Sequence, residues 1–172
     1  RNAMPSGENI VLGIDPGLGT TGWGIIRAGA GQFKYVGSGK ISTDPAEPMG
    51  QRLDKLFREL QNVAKHYDVT RCAVESGFVG KSHISALKLG QARAAAILAA
   101  QVLQIPVLEV TPREVKMAIT GIGSAAKGQV GFMVSKLLGL EFDRGEEDIS
   151  DALAVALCHA MRDQSAMRAA AR

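Results

Sequence analysis

Four acidic residues stand at positions from which carboxylates can do chemistry together. Asp15 closes the apolar run at residues 10–15 (IVLGID), and Glu75 closes a second run, Arg71–Glu75 (RCAVE). Asp148 and Asp151 are three residues apart at the start of a helical stretch, so they share one helix face. If the two runs are neighbouring parallel strands, Asp15 and Glu75 emerge at one rim of the sheet. Residues 152–158 are wholly apolar, so their helix packs on the core and can bring Asp148 and Asp151 to that rim. Carboxylates crowded together stay ionised only with a cation to offset their repulsion. An all-oxygen donor set with no Cys or His partner suits Mg²⁺ or Mn²⁺ rather than zinc. Two such ions about 3.5–4 Å apart can activate a water and stabilise the leaving oxygen in phosphodiester hydrolysis.

Plainer uses exist for each residue. Asp15 precedes Pro16-Gly17, a common place for a turn former. Glu146, Glu147 and Asp148 complement a helix dipole whatever the function. Glu75 ends a buried strand and needs a partner there, ordinarily an arginine. The placement of all four, rather than any one, points to a metal-dependent site.

The elements that must position them follow from the pattern. After residues 10–15, two more strand-like runs at 22–27 and 33–41 are divided by the glycines around Ala30, which predicts an antiparallel meander. Asp44-Pro45 marks a helix start, and Leu53, Leu56, Phe57, Leu60, Val63 and Ala64 recur at helical spacing through Tyr67. A strand ending at Glu75, a loop at 76–83 and an alanine-rich helix to about Leu103 follow, with Ser82 or Ser85 as its cap. A strand at 106–110 leads into Thr111-Pro112-Arg113-Glu114, a capping box with Pro at the first helical position. Gly121 ends that helix; further helices cover 126–138 and 147 to about 162. This order predicts an α/β domain with a mixed five-stranded sheet, an antiparallel meander plus parallel crossovers, and helices on both faces. A single domain over 10–165 is expected, with 1–9 and 166–172 as flexible tails and Arg1, Asn2 and Ala3 preceding a natural start at Met4.

The 172 residues suit one core, and the formal charge of +3 leans only mildly towards a polyanionic partner. Cys72 and Cys158 form no CxxC pattern, so neither a disulfide framework nor a zinc site is expected, and a reducing cytoplasm is the simplest setting. No apolar run is long enough to span a bilayer, and no membrane association is expected.

The motifs GIDPG at 13–17 with Thr21-Gly22, AVESGF around Glu75, SALKLGQARAA from Ser85, GIGSAAKGQV from Gly121 and DISDALAVALCHA from Asp148 resemble, in order, the RuvC family of Holliday-junction resolvases. The similarity runs from about Ile10 to His159. It implies a ribonuclease H-like fold, a homodimer, and a site of Asp15, Glu75, Asp148 and Asp151 holding Mg²⁺, with Mn²⁺ able to substitute and two ions per subunit. It also implies resolution of four-way junction DNA by paired symmetric nicks in recombination and repair, with a RuvA–RuvB branch-migration complex as partner. The family varies at the position of Asp148, where some members carry His. Leu18-Gly19 and Ala126 depart from the polar, basic or acidic residues common there, on loops expected near DNA.

Lys116 and Lys127 match family positions that contact DNA, where an ammonium near the scissile phosphate can offset charge built up in the transition state. A lone helical Lys is otherwise a solvated residue. Phe78, in a glycine-flanked loop, is expected to insert at the crossover and stack on an unpaired base, with Lys81 meeting phosphate; the alternative is a ring folded back onto the core. The alanine-rich segment 86–100, with Gly90, either forms part of the dimer contact or packs on the sheet. His66, His83 and His159 have no ligand spacing, and His159 and Trp23 read as core residues. Two rivals remain. An actin-like or sugar-kinase phosphate loop, suggested by Gly13-Ile14-Asp15 with Gly19-Thr20-Thr21-Gly22, fails on size and gives Asp148 and Asp151 no role as a pair. A catalytically idle nucleic-acid-binding subunit leaves the four carboxylates unexplained.

Overall fold

A computed structural model of the chain describes residues 8–77 and 82–170. Phe78 and Lys81 lie outside the described residues. The elements run β1 (Asn9–Asp15), β2 (Thr20–Gly29), β3 (Gln32–Ser42), α1 (Met49–His66), β4 (Arg71–Glu75), α2 (His83–Gln101), β5 (Val107–Val110), α3 (Pro112–Thr120), α4 (Lys127–Leu138) and α5 (Glu147–Ala170). They form one five-stranded sheet in the order β3-β2-β1-β4-β5. The first three strands make an antiparallel meander, and β4 and β5 add in parallel beside β1. The β2–β3 hairpin closes through Ala30 and Gly31, both at positive φ (49° and 77°), the backbone of a two-residue turn that matches strand twist.

Strand alternation divides the core in two. Ile10, Leu12 and Ile14 of β1 and Cys72 and Val74 of β4 face α1 and α2, where they pack on Leu56, Leu60, Ala92 and Ala96. Val11 and Ala73 face the other way, towards α3, α4 and α5, where Val115, Val134, Leu153 and Leu157 complete a second core. Asp15 and Glu75 share the parity of Val11 and Ala73, so both carboxylates leave the sheet on the α5 side.

Glycines let α5 settle there. Gly13 of β1 is paired with Gly24 of β2, and Asp15 with Gly22. A β-carbon on Gly13 would fall 2.1 Å from the Ala152 carbonyl oxygen, one on Gly22 would fall 2.0 Å from that of Asp148, and one on Gly24 would strike Leu153. The three glycines form a furrow across two strands in which the backbone of α5 lies in direct contact. Gly13→Ala should therefore destabilise the fold by about 3 kcal/mol, the upper end for overpacking, because the opposing atoms are backbone and cannot rotate away. Thermal denaturation measures the loss, and cleavage assays should show a matching fall as Asp148 and Asp151 are pushed from the rim.

Three of the boundaries that differ from expectation bear most on the fold. The first helix begins at Met49, after Pro48, and Asp44 instead accepts a hydrogen bond from the Ala46 amide (2.9 Å) in a turn. Pro48 disfavours helical backbone at Glu47, which keeps the helix from starting at Pro45. The last helix continues to Ala170 rather than fraying from 166, since no Gly or Pro interrupts 147–170 and alanines favour the helix. At the other end Asn9 already belongs to β1, paired with Ala28, and its side chain accepts a hydrogen bond from Thr70 Oγ1 at 3.2 Å.

Candidate active site at the rim of the sheet

Parallel pairing sets Ile14 opposite Val74, so Asp15 and Glu75 end their strands side by side. Their carboxyl groups lie close enough to act on each other: the charge of Glu75 raises Asp15, and Asp15 as a hydrogen-bonding neighbour lowers Glu75. Burial is the main reason the Asp15 carboxyl is pushed up to about 7, with the charges of Glu75, Asp151 and Asp148 adding to it and Lys127 opposing. Glu75 is also raised, first by burial and then by Asp151, while its bond to Asp15 and the cations Lys127 and Lys116 pull it back. No arginine neutralises Glu75 among the described residues; its immediate partner is another acid.

Asp148 and Asp151 arrive from the first turns of α5, where the contact at Gly22 fixes the height of the helix over Asp15. Lys127, the first residue of α4, reaches into the cluster and places Nζ 2.6 Å from Asp151 Oδ2. Its ammonium is held more firmly protonated, chiefly by that bond and further by the charges of Asp15 and Asp148. The helix start that presents Lys127 is stitched by the Ala126 amide donating to Gln129 Oε1 at 2.8 Å; alanine has no side chain with which to return the bond.

Lys116 projects from α3, close enough for its charge to act on Glu75. The expected capping box fixes the entry of that helix: Thr111 donates its amide to Glu114 Oε2 (2.7 Å), and Glu114 donates its amide to Thr111 Oγ1 (3.2 Å). Thus six of the eight residues singled out by sequence lie in the described structure, and all six gather at this rim. Among the described residues no three of His, Cys, Asp and Glu are drawn together tightly enough to form a finished ion cage.

Two features were missed by sequence reasoning. Leu18, expected on a loop near DNA, is buried in the first core. It is held by Arg52, a buried residue of α1 that donates through Nε to Thr43 Oγ1 (2.9 Å) and through Nη2 to the Leu18 carbonyl (3.3 Å). Thr21 Oγ1 closes the same turn by donating to the Gly17 carbonyl at 2.7 Å. These bonds set the path of the chain leaving Asp15. An Arg at a helical position reads as solvated, so the sequence carried no signal for it. The glycine furrow had one, in the alternation Gly22-x-Gly24 opposite Gly13.

His159 is buried as expected, with Nδ1 3.3 Å from Asp163 but no well-aligned hydrogen bond. Trp23 packs partly buried against the first core, its ring 5.9 Å from that of Tyr67.

The sheet order, the helices on both faces and the acidic rim define a ribonuclease H-like α/β protein. Residues 11–159 match the family described as "Crossover junction endodeoxyribonuclease RuvC". The chain belongs to the RuvC family. It is 45% identical over 150 residues to the protein of that description from Ehrlichia canis, covering 87% of this chain and 95% of that one. With the protein from Citrifermentans bemidjiense the identity is 47% over 151 residues, covering 88% and 92%. Among solved structures, Thermus thermophilus RuvC in complex with Holliday junction substrate superposes with a TM-score of 0.85 at 33% identity, covering 92% of this chain and 96% of that one.

Proposed function

We propose that this protein is a metal-dependent endonuclease that resolves four-way DNA junctions by paired symmetric nicks, leaving 5′-phosphate and 3′-hydroxyl ends, in the cytoplasm during recombination and repair. The observation that carries the reading is the convergence of Asp15, Glu75, Asp148 and Asp151 on one rim with Lys127 among them. The donors are all oxygen, and burial together with the neighbouring acid charges pushes the Asp15 carboxyl up to about 7. A hard divalent ion, Mg²⁺ or Mn²⁺ and two per subunit, fits that donor set. When bound, such ions supply an activated water and stabilise the leaving oxygen. The chain's own part is to hold the ligands. Asp15, at the end of β1, lies within reach of the charges of all three other acids, Glu75, Asp151 and Asp148. Its carboxyl would have to be ionised to hold such an ion. Lys127 and Lys116 flank the cluster as phosphate-steadying cations.

Junction symmetry calls for two such sites. The alanines of α2 at 92, 95, 96, 99 and 100 are buried against the chain's own core. The opposite side of the same helix exposes Ile84, Leu87 and Leu98, and a β-carbon at Gly90 would meet nothing within 4 Å. This outward stripe is where a two-fold partner would dock, giving a homodimer with sites on opposing strands. Leu87→Asp should halve the mass seen by sedimentation at micromolar concentration and uncouple the two nicks, leaving single-nicked junctions. An unchanged dimer would move the contact to another surface. We also propose that such a dimer works beside a RuvA–RuvB branch-migration complex.

The test of the whole reading is direct. The purified chain is incubated with a labelled four-way junction and a matched linear duplex, with Mg²⁺ or a chelator, and the nicks are mapped. Paired nicks on the junction alone, lost with chelator, are expected; an intact junction, or equal cutting of duplex, overturns it.

A further inference from the structure

Helix α4 leads away from the acidic rim, and its outward side carries an aromatic ring that no described element covers. Phe132 is 60% exposed. It forms a ridge between two open clefts. One, of about 450 Å³, extends from Lys127 and Asp151 past Phe132 to Phe142. The other, of about 380 Å³, is bounded by Ile122 and Met133. The turns beside the ring are kept bare by glycine: a β-carbon on Gly128 would meet nothing within 4 Å, and one on Gly131 would meet only Ser150 Oγ at 3.4 Å.

A single exposed apolar side chain is ordinary. Phe132 differs in its setting. It shares a cleft with Ile122, which is 54% exposed, and cations stand on both sides along the helix. Lys127 opens the helix at the rim, and Lys136 holds its ammonium 5.4 Å from the centre of the Phe132 ring. Apolar surface rimmed by charge marks a binding surface. Ring and flanking ammonium groups are the parts of a single-strand platform, where a base stacks and phosphates meet the cations. The larger cleft also carries Asp143, Glu146 and Glu147. Arg144 and Lys127 line the same cleft, so it offers carboxylates to the N–H edge of a base and cations to a neighbouring phosphate. A planar, uncharged hydrogen-bond donor with anions on either side is a nucleotide within a strand.

We propose that Phe132 is a base-stacking residue: a nucleobase adjoining the scissile phosphate turns out of its strand onto this ring, with Lys136 against the neighbouring phosphate, so that the cleft takes part in choosing where the strand is cut. The inference rests on the junction-cleaving reading above.

The experiment uses the full chain, Phe132→Ala and Phe132→Trp on a panel of four-way junctions that differ only in the base step at the crossover, some with 2-aminopurine beside the cut. Stacking strength implies a fall of about 10- to 100-fold in single-turnover cleavage of the best-cut junction by Phe132→Ala. The rates across the panel should level, and junction affinity should stay within about threefold. Phe132→Trp should keep both rate and ranking, and 2-aminopurine should be quenched by the wild type and Phe132→Trp but not by Phe132→Ala. Unchanged rates and ranking in Phe132→Ala overturn the proposal. So does a loss of self-association with cutting intact, which would assign the ring to a protein contact. A wild-type chain that leaves every junction uncut in Mg²⁺ fails the parent reading instead.

Discussion

Asp15→Asn should abolish junction cleavage and, in the absence of metal, make the protein more stable. The two effects have one cause. The Asp15 carboxyl is raised from 3.8 to about 7, mainly by burial and then by three neighbouring acids. The folded state therefore binds this proton more tightly than the unfolded state does. By linkage, stability is greatest below about 3.8, falls as pH rises from 3.8 to 7, and stays low above 7. Asn keeps the shape, can still donate a hydrogen bond to Glu75, and carries no charge to desolvate. At pH 8 the variant should gain on the order of 2–4 kcal/mol, discounted from the full shift because a charged site relaxes and admits water. For a chain of this length that is about 5–10 °C in melting temperature. At pH 3.5 the difference should vanish, because Asp15 is then protonated in the folded protein and largely so in the unfolded chain. Melting curves in chelator between pH 3.5 and 8 measure this. Added Mg²⁺ should raise the melting temperature of the wild type more than that of the variant. Cleavage should fall about a thousandfold or more, the consequence of losing several kcal/mol of metal-derived stabilisation. A variant melting at or below the wild type at pH 8 would show that Asp15 bears no unfavourable charge.

That linkage also shows how far the sequence could be read. The two strand-end carboxylates were legible because an apolar run ending in an acid is simple to see, and parity then sends both side chains to one face. The descent of α5 onto them was only half legible. Its apolar stretch at 152–158 marked it as a packing helix, but its height above the sheet depends on Gly13, Gly22 and Gly24 meeting across two strands. Such a furrow exists only once pairing register is known. The Arg52–Thr43–Leu18 tether is likewise a product of tertiary approach, since its members are remote in sequence. The start of α1 was misplaced because Asp44-Pro45 has the composition of a helix start, while Pro48, three residues on, decided the geometry. Phe132 passed unnoticed for a related reason. Its neighbours Gly128 and Gly131 weaken helical amphipathicity, and only the folded surface distinguishes an uncovered ring from a core one.

Lys127→Met should slow cutting while letting the divalent ion bind at lower concentration. Lys127 Nζ lies 2.6 Å from Asp151 Oδ2, with the lysine side chain 72% exposed and the aspartate 21%. An ion pair so open to solvent contributes about 0–1 kcal/mol to folding, so the variant should melt within a few degrees of the wild type. Its chemical consequences are larger. Without the ammonium, Asp151 is free and the cluster carries one more uncompensated negative charge, so the half-saturating Mg²⁺ concentration should drop. At saturating Mg²⁺ the single-turnover rate should still fall about 10²- to 10³-fold, the loss attached to one charge-stabilising group at a reacting centre. Junction affinity should change far less, with the slope of log affinity against log salt reduced by about one. Lys127→Arg should not restore the rate, because a planar guanidinium presents a wider, differently hydrated charge than an ammonium point donor. The opposed signs separate this role from a structural one: a lysine that merely braced α4 against α5 would, when removed, weaken metal binding and cutting together. Wild-type rates in Lys127→Met would leave the contact with Asp151 as an ordinary surface ion pair.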